Sequence, residues 1–358
     1  MIKRTRVAKS CRIAEQLRRE LAYSKIQRGT PAMSANELAK QYNVSVPTAH
    51  NVLNILTKEG LLYRVKGSGT FFNLDSSGKK VQIGIADQTI SLEFLSEDIN
   101  RIMNYHFDYA AEYFRGNDYQ VRIFPYSELM SEDTLKGLDA LLVSCSFLDK
   151  ITVPFLQKLK IPVVVYRYSS TPDPAFSYLY YDFNSGMKEA VEFLHPSKSE
   201  KIILVSEESP SGLHALECWR RQLLSYGLSE SNIQEHSTTV CERERFCYRL
   251  VRTRQKEFKN AVILAGNDEV AVNLINALEL EDYRRGRDYR LIGTGNRAGY
   301  GSVTAQKLQL ASIDMPIRQM AEEGSKLLLH VLNNKSKCNF SVAVLTRFIV
   351  RESAGVIL

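Results

Sequence analysis

The sequence predicts an α/β chain in two parts: a small N-terminal winged helix-turn-helix, then a larger region of two doubly wound α/β lobes. Three observations predict this. Residues 34–56 hold two capped helical patterns in tandem. Residues 61–72 hold two short β-rich runs around a glycine turn. From residue 81 onward, short β-branched runs alternate with helical stretches, the pattern of parallel sheets.

Ser34 with Glu37 three residues on is a capping box, and Leu38, Ala39 and Tyr42 share one face of the helix that follows. Asn43 ends it. Ser45 caps a second helix, Pro47 sits in its first turn, where a missing N–H costs little, and Val44 can staple onto Ala49. Val46, Ala49, Val52, Leu53 and Leu56 recur at helical spacing and are expected to face a core. Pro47, Thr48, His50, Asn51 and Asn54 are left facing out. They carry no negative charge, and amides and imidazoles can bond base edges in a DNA major groove. Leu61-Leu62-Tyr63-Arg64-Val65, the Lys66–Thr70 turn and Phe71-Phe72 then read as a hairpin, with Lys66 and Gly67 at a tip able to reach a phosphate or a minor groove. Taken singly, Ser34 and Ser45 are caps before they are phosphate donors, and each outward polar residue is a solvated side chain. Their order is what reads as DNA binding.

Charge follows the same division. Of 47 Lys+Arg and 40 Asp+Glu, residues 1–80 hold 15 and 5, a balance of +10; residues 81–358 hold 32 and 35, a balance of −3. The basic excess lies wholly with the head, as phosphate neutralisation requires. No apolar run has signal-peptide or membrane-spanning length. The six cysteines form no C-x-x-C pair and read as reduced, mostly buried thiols of a cytoplasmic protein. Neither a metal site nor a cofactor is expected. The motifs G-x-S-x-G, G-x-x-x-x-G-K-S/T and H-E-x-x-H are absent, so no enzyme is expected either.

The expected division is residues 1–72 as the DNA-binding head, 73–80 as a polar linker and 81–358 as a two-lobe ligand-binding and dimerising body. Strands are expected near 81–86, 120–124, 140–144, 163–166, 178–181, 201–206, 261–265, 290–293 and 310–313, with a last one near 342–350. In open α/β sheets a ligand sits beyond the carboxyl ends of the strands. Candidates are therefore Asp87, Gln88 and Ser91 after the first strand, then Ser144, Ser146, Arg167, Trp219, Arg220, Asn267, Asp268 and Asn296. Polar groups beside an aromatic face suit a sugar's hydroxyls and C–H face. Trp219 is equally a core residue, Asp268 a helix cap and Asp87 a loop residue.

The head resembles the GntR family of bacterial transcription regulators. Ser34, Leu38 and Ala39, then Val44, Ser45 and Thr48, then Leu56, Glu59, Gly60 and Leu61, then Gly67, Gly69, Thr70 and Phe71 match its motifs over about residues 11–72. Asn36 and Val46 stand where that family usually carries DNA-touching arginines, which shifts readout toward His50, Asn51 and Lys66. The body resembles LacI-family effector domains, which are similar to periplasmic sugar-binding proteins. The residues carrying this include Val81–Ala86, Leu138–Val143, Ile161–Val165, Tyr181-Asp182, Asn267–Ala271, Leu291–Gly293 and Phe348–Ser353. A head of one kind on a body of the other resembles the arabinose repressor subgroup. Sugar-binding relatives carry an arginine at the position of Ala215 and an aspartate at that of Gly295, and this chain has neither. The resemblance implies a homodimeric repressor of sugar-utilisation genes that binds an inverted-repeat operator and is released by a small sugar, a monosaccharide. The alternative is a DNA-binding regulator whose body only dimerises or binds a non-sugar metabolite.

Overall fold

The structure, a computed structural model, describes residues 9–22, 26, 29–65, 68–73, 81–87, 97–144, 152–167, 176–334 and 338–355. The head comprises α1 (Lys9–Ala22), α2 (Ala35–Gln41), α3 (Val46–Lys58), β1 (Leu62–Val65) and β2 (Gly69–Phe72). Its core is Ile13, Ala14 and Leu17 from α1, Leu38 and Ala39 from α2, Ala49, Val52, Leu53 and Leu56 from α3, and Leu62 from β1. The helix α1 is not among the sequence expectations. Its apolar residues are sparse among charges, and only the packing of Ile13, Ala14 and Leu17 onto α3 marks its inner face. Val46 is corrected: at 41% exposure it begins α3 outside the core. The hairpin also gains an edge, since Pro31 bridges Phe71 antiparallel and Ala32 N–H donates to the Thr70 carbonyl at 2.8 Å.

Two six-stranded sheets follow. The first comes from β3 (Gln82–Asp87), α4 (Glu97–Gly116), β4 (Gln120–Pro125), α5 (Glu132–Leu135), β5 (Ala140–Ser144), α6 (Thr152–Lys158), β6 (Val163–Arg167) and β7 (Ser177–Asp182). The chain then passes through α7 (Phe183–Leu194) to β8 (Ile202–Glu207), α8 (Pro210–Tyr226), β9 (Ile233–Thr238), α9 (Arg243–Thr253), α10 (Gln255–Phe258), β10 (Val262–Ala265), α11 (Asp268–Leu280), β11 (Arg290–Thr294), α12 (Val303–Lys307) and β12 (Ala311–Asp314). Last come α13 (Ile317–Asn334), β13 (Ser341–Leu345) and β14 (Arg347–Ile349). The sheet orders are β4-β3-β5-β6-β7-β13 and β9-β8-β10-β11-β12-β14. All pairings are parallel except that of β14 with β12. In each sheet the order reverses beside the first strand, which creates a switch point between β3 and β5 and another between β8 and β10.

The single C-terminal strand expected near 342–350 is corrected to two, one in each sheet. The break is Thr346, which is buried and bonded to the start of α7. Its Oγ1 donates to the Asp182 carbonyl at 2.8 Å and accepts from Gly186 N–H at 3.1 Å, while its carbonyl accepts from Ser185 Oγ at 2.8 Å. These bonds turn the backbone, so β13 pairs with β7 and β14 pairs with β12. The chain therefore crosses between sheets three times: at Asp182–Phe183, after Asp314, and at Thr346. Helix α13 returns to the first sheet, where Gly324 gives the Tyr166 ring room and Tyr166 OH donates to the Ala321 carbonyl at 3.2 Å. Burial pushes that phenol well above its ordinary pKa.

One thiol expectation differs from the structure. Of the five described cysteines, Cys218 and Cys247 are buried and Cys11, Cys241 and Cys338 are exposed, so "mostly buried" is corrected. The exposed ones lie at element ends or in connections, where local hydrophobicity does not fix burial.

Candidate functional site

The outward face of α3 is built by its own capping. Ser45 Oγ accepts from Thr48 N–H at 3.4 Å and lies 2.8 Å from Thr48 Oγ1, so both hydroxyls are engaged at the helix start. Ser34 and Glu37 complete the capping box of α2. The Glu37 carboxyl is held below its ordinary pKa by its bond from the Ser34 backbone. Asn36, His50, Asn51 and Asn54 are exposed, and Thr48 is half-buried. Asn51 and Asn54 lie one turn apart, on the face away from Val52, Leu53 and Leu56. Lys66 and Gly67 lie outside the described residues. Arg64 on β1, absent from the sequence candidates, donates from Nη2 to Asn54 Oδ1 at 2.8 Å. At the other end of α3, Arg18 clamps Glu59 at 2.5 Å and so ties α1 to the helix.

Strand register assembles the first body wall. Asp87 of β3 stands opposite Ser144 of β5, and Ser144 opposite Tyr166 of β6, so Asp87, Ser144 and Arg167 share the carboxyl edge of one sheet. Asp87 and Ser144 flank the switch point. The Arg167 guanidinium lies 5.7 Å from the centroid of the Tyr178 ring. Gln88, Ser91 and Ser146 lie outside the described residues.

The second wall is a hydrogen-bonded frame. Asn267 caps α11, its Oδ1 accepting from Val270 N–H at 2.8 Å. Asp268 is fully buried; its Oδ1 accepts from Ser312 Oγ at 2.7 Å and its Oδ2 from Arg297 N–H at 2.7 Å. It is thus not the helix cap, and that expectation is corrected: it is a brace joining α11, β12 and the loop after β11, with both carboxyl oxygens engaged within the protein. Burial pushes its carboxyl above the ordinary value, while the two hydrogen bonds and nearby Arg297 and Arg351 oppose the shift. Asn296, also buried, donates from Nδ2 to Asp314 Oδ1 at 2.8 Å and accepts from Arg351 Nη2 at 2.6 Å. Asp314 takes further bonds from Tyr300 OH at 3.2 Å and Arg347 Nε at 3.2 Å. Gly293 must lack a side chain, because a Cβ there would collide with Asp268 Oδ1.

Trp219 and Arg220 are corrected outright. Trp219 has no exposed surface and packs in the core with Ala215, Leu216 and Leu223 of its own helix. Arg220 points outward to Glu230 and Glu235, an ion-pair cluster on the surface. Ala215 is buried, and Gly295 adopts φ +123°, a left-handed conformation suited to glycine. Sequence reasoning missed Ser206 at the carboxyl end of β8. Its Oγ is buried without a partner among the described residues, in a notch that exists because residues 212 and 266 are glycines. Among the described residues no three His, Cys, Asp or Glu side chains gather as metal ligands, and no helix is long and apolar enough to cross a membrane.

This arrangement has known counterparts. Residues 9–72 match the gntR family of bacterial regulatory proteins, and residues 191–354 match the periplasmic binding protein-like domain. The chain joins a gntR-family domain to a periplasmic binding protein-like domain. It is 24% identical over 332 residues to the arabinose metabolism transcriptional repressor of Halalkalibacterium halodurans, covering 85% of this chain and 84% of that one. Over 59 residues it is 42% identical to the HTH-type transcriptional repressor NagR of Bacillus subtilis, covering 16% of this chain and 24% of the relative. The fold matches a LacI-family transcriptional regulator from Enterococcus faecium with bound ribose. The TM-score is 0.60 at 20% identity, covering 77% of this chain and all of that one. The periplasmic-type match begins at residue 191, yet the sheet before it repeats the same strand order, so the two-lobe fold takes in both sheets.

Proposed function

We propose that this chain is a sugar-responsive transcriptional repressor acting as a cytoplasmic homodimer, not an enzyme. Residues 1–72 read operator DNA, 73–80 link, and 81–358 bind effector and dimerise. The observation that carries this reading is the match to an arabinose metabolism repressor that runs through head and body together. The ribose-bound LacI-family neighbour supports a sugar in the body, and the effector proposed is a monosaccharide.

The effector is placed at the carboxyl ends of the two sheets, against Asp87, Ser144 and Arg167 on one wall and Asn267 with the Asn296 loop on the other. Asp268 holds that loop in place. A ligand touching both walls favours one relative setting of the lobes, and the three crossings are where the chain accommodates the change. In a dimer that change alters the spacing of two heads, which must match two half-sites of an inverted repeat. The test is fluorescence anisotropy on the DNA upstream of the protein's own gene, with and without a panel of pentoses and hexoses, beside thermal melting with the same sugars. Expected are tight, salt-sensitive binding, weakened by one sugar that also raises the melting temperature. DNA binding that no sugar alters, with no sugar shifting the melt, would replace this reading with one in which the body dimerises only.

A further inference from the structure

Side chains alternate across the two-stranded sheet of the head. Leu62 is buried against α3, and Arg64, two residues on, shares its face. Tyr63 takes the opposite face, where its ring stacks on Phe71 at 5.6 Å. Arg64 is thereby aimed at α3, and its Nη2 reaches Asn54 Oδ1 at 2.8 Å. A guanidinium has five N–H donors and no acceptor. That settles the orientation of the Asn54 carboxamide: its oxygen faces Arg64, and its NH2 faces away, on the exposed side of α3 that carries Asn51 one turn earlier.

An asparagine recognises adenine with both ends of its amide, donating to N7 and accepting from the N6 amino group. The Asn54 oxygen is turned toward Arg64, which takes one of its two lone pairs, so the NH2 donors are the end presented on the exposed side. Guanine presents two acceptors, O6 and N7, in the major groove, whereas adenine presents one acceptor beside a donor. We propose that Asn54 reads guanine, and that Arg64 sets this preference by holding the amide oxygen. Arg64 is a positioning residue; Asn54 makes the contact. The inference rests on the reading of α3 as the helix that enters the major groove.

The test is selection from a randomised DNA duplex pool by full-length protein, wild type beside Asn54→Ala, Arg64→Ala and Arg64→Lys, with each fold checked by circular dichroism. Wild type is expected to enrich a motif with a guanine in each half-site that Asn54→Ala loses at that position alone, by about fivefold or more. Arg64→Ala frees the amide oxygen, and the same position should shift toward adenine. Arg64→Lys, still a donor without an acceptor, should keep guanine; loss of a merely structural contact would not change base identity. Three results overturn the proposal: adenine at that position in the wild type, an even loss of affinity on all sequences in Asn54→Ala, or one unchanged motif in all variants. A folded wild type that enriches no motif overturns the groove-facing reading itself, so the two failures are told apart.

Discussion

Asp268 provides the sharpest check on the body's architecture. Replacing it with alanine leaves two buried donors, Arg297 N–H and the Ser312 hydroxyl, without their acceptor. Each orphaned donor costs about 1–3 kcal/mol. Removing a carboxylate from a fully buried site returns part of that, so Asp268→Ala should destabilise the body by about 2–4 kcal/mol. The chain contains one tryptophan, Trp219, and it is buried in the core of the body, so urea unfolding followed by its fluorescence is a direct assay. Asp268→Asn separates charge from hydrogen bonding. The folded-state pKa of Asp268 lies above the ordinary 3.8, so the protonated form is the one the fold favours. That contribution is full below about pH 3.8 and is lost as pH rises through the raised folded value. Relative to Asp268→Asn, which cannot ionise, the wild type should therefore lose stability as pH climbs from about 4. A loss under about 0.5 kcal/mol in Asp268→Ala would refute the brace; a pH-independent gap between wild type and Asp268→Asn would refute the titration.

Three further outcomes follow from local geometry. Gly186→Ala places a Cβ 2.9 Å from the Arg347 backbone nitrogen and 2.9 Å from Thr346 Oγ1, and should destabilise the body by about 1–3 kcal/mol in the same urea assay. Thiol labelling under native conditions should modify Cys11, Cys241 and Cys338 well before Cys218 and Cys247, whose thiols burial pushes up to about 11 and about 12; mass spectrometry of labelled peptides would give the order. Ser34→Ala removes the α2 cap and should cost the head about 1 kcal/mol, visible as faster hydrogen exchange at the Glu37 amide while body amides keep their rates.

Elements with strong periodicity were legible in the sequence: β3, β6, β8 and β10 are nearly continuous apolar runs, and the caps at Ser34 and Ser45 stand where their motifs place them. The strand β9 was not, because Ile233–Thr238 is an edge strand of mostly polar residues recognisable only by its pairing with β8. Helix α9 was missed because charged residues crowd the sparse apolar stripe of Cys247, Leu250 and Val251. The corrections at the candidate site differ in kind. The partners of Asp268 lie 29 and 44 residues away, and no local pattern reveals them. Trp219 is the opposite case: Ala215, Trp219 and Leu223 recur every fourth residue of α8, and that spacing by itself marks a core face.

The three crossings also set the order in which the body can be made. The strand that closes the first sheet, β13, pairs with β7, yet roughly 160 residues separate Asp182 from Ser341. At a synthesis rate of about 5–20 residues per second, β7 waits on the order of ten seconds or more with one edge unpaired. An unpaired edge is a template for another strand, including that of a neighbouring nascent chain. Helix α13, which covers the same sheet, also arrives late. The first sheet therefore cannot close before Leu345 has been made, nor the second before Ile349, and a protein truncated before residue 341 should collect in the insoluble fraction rather than persist as a folded half.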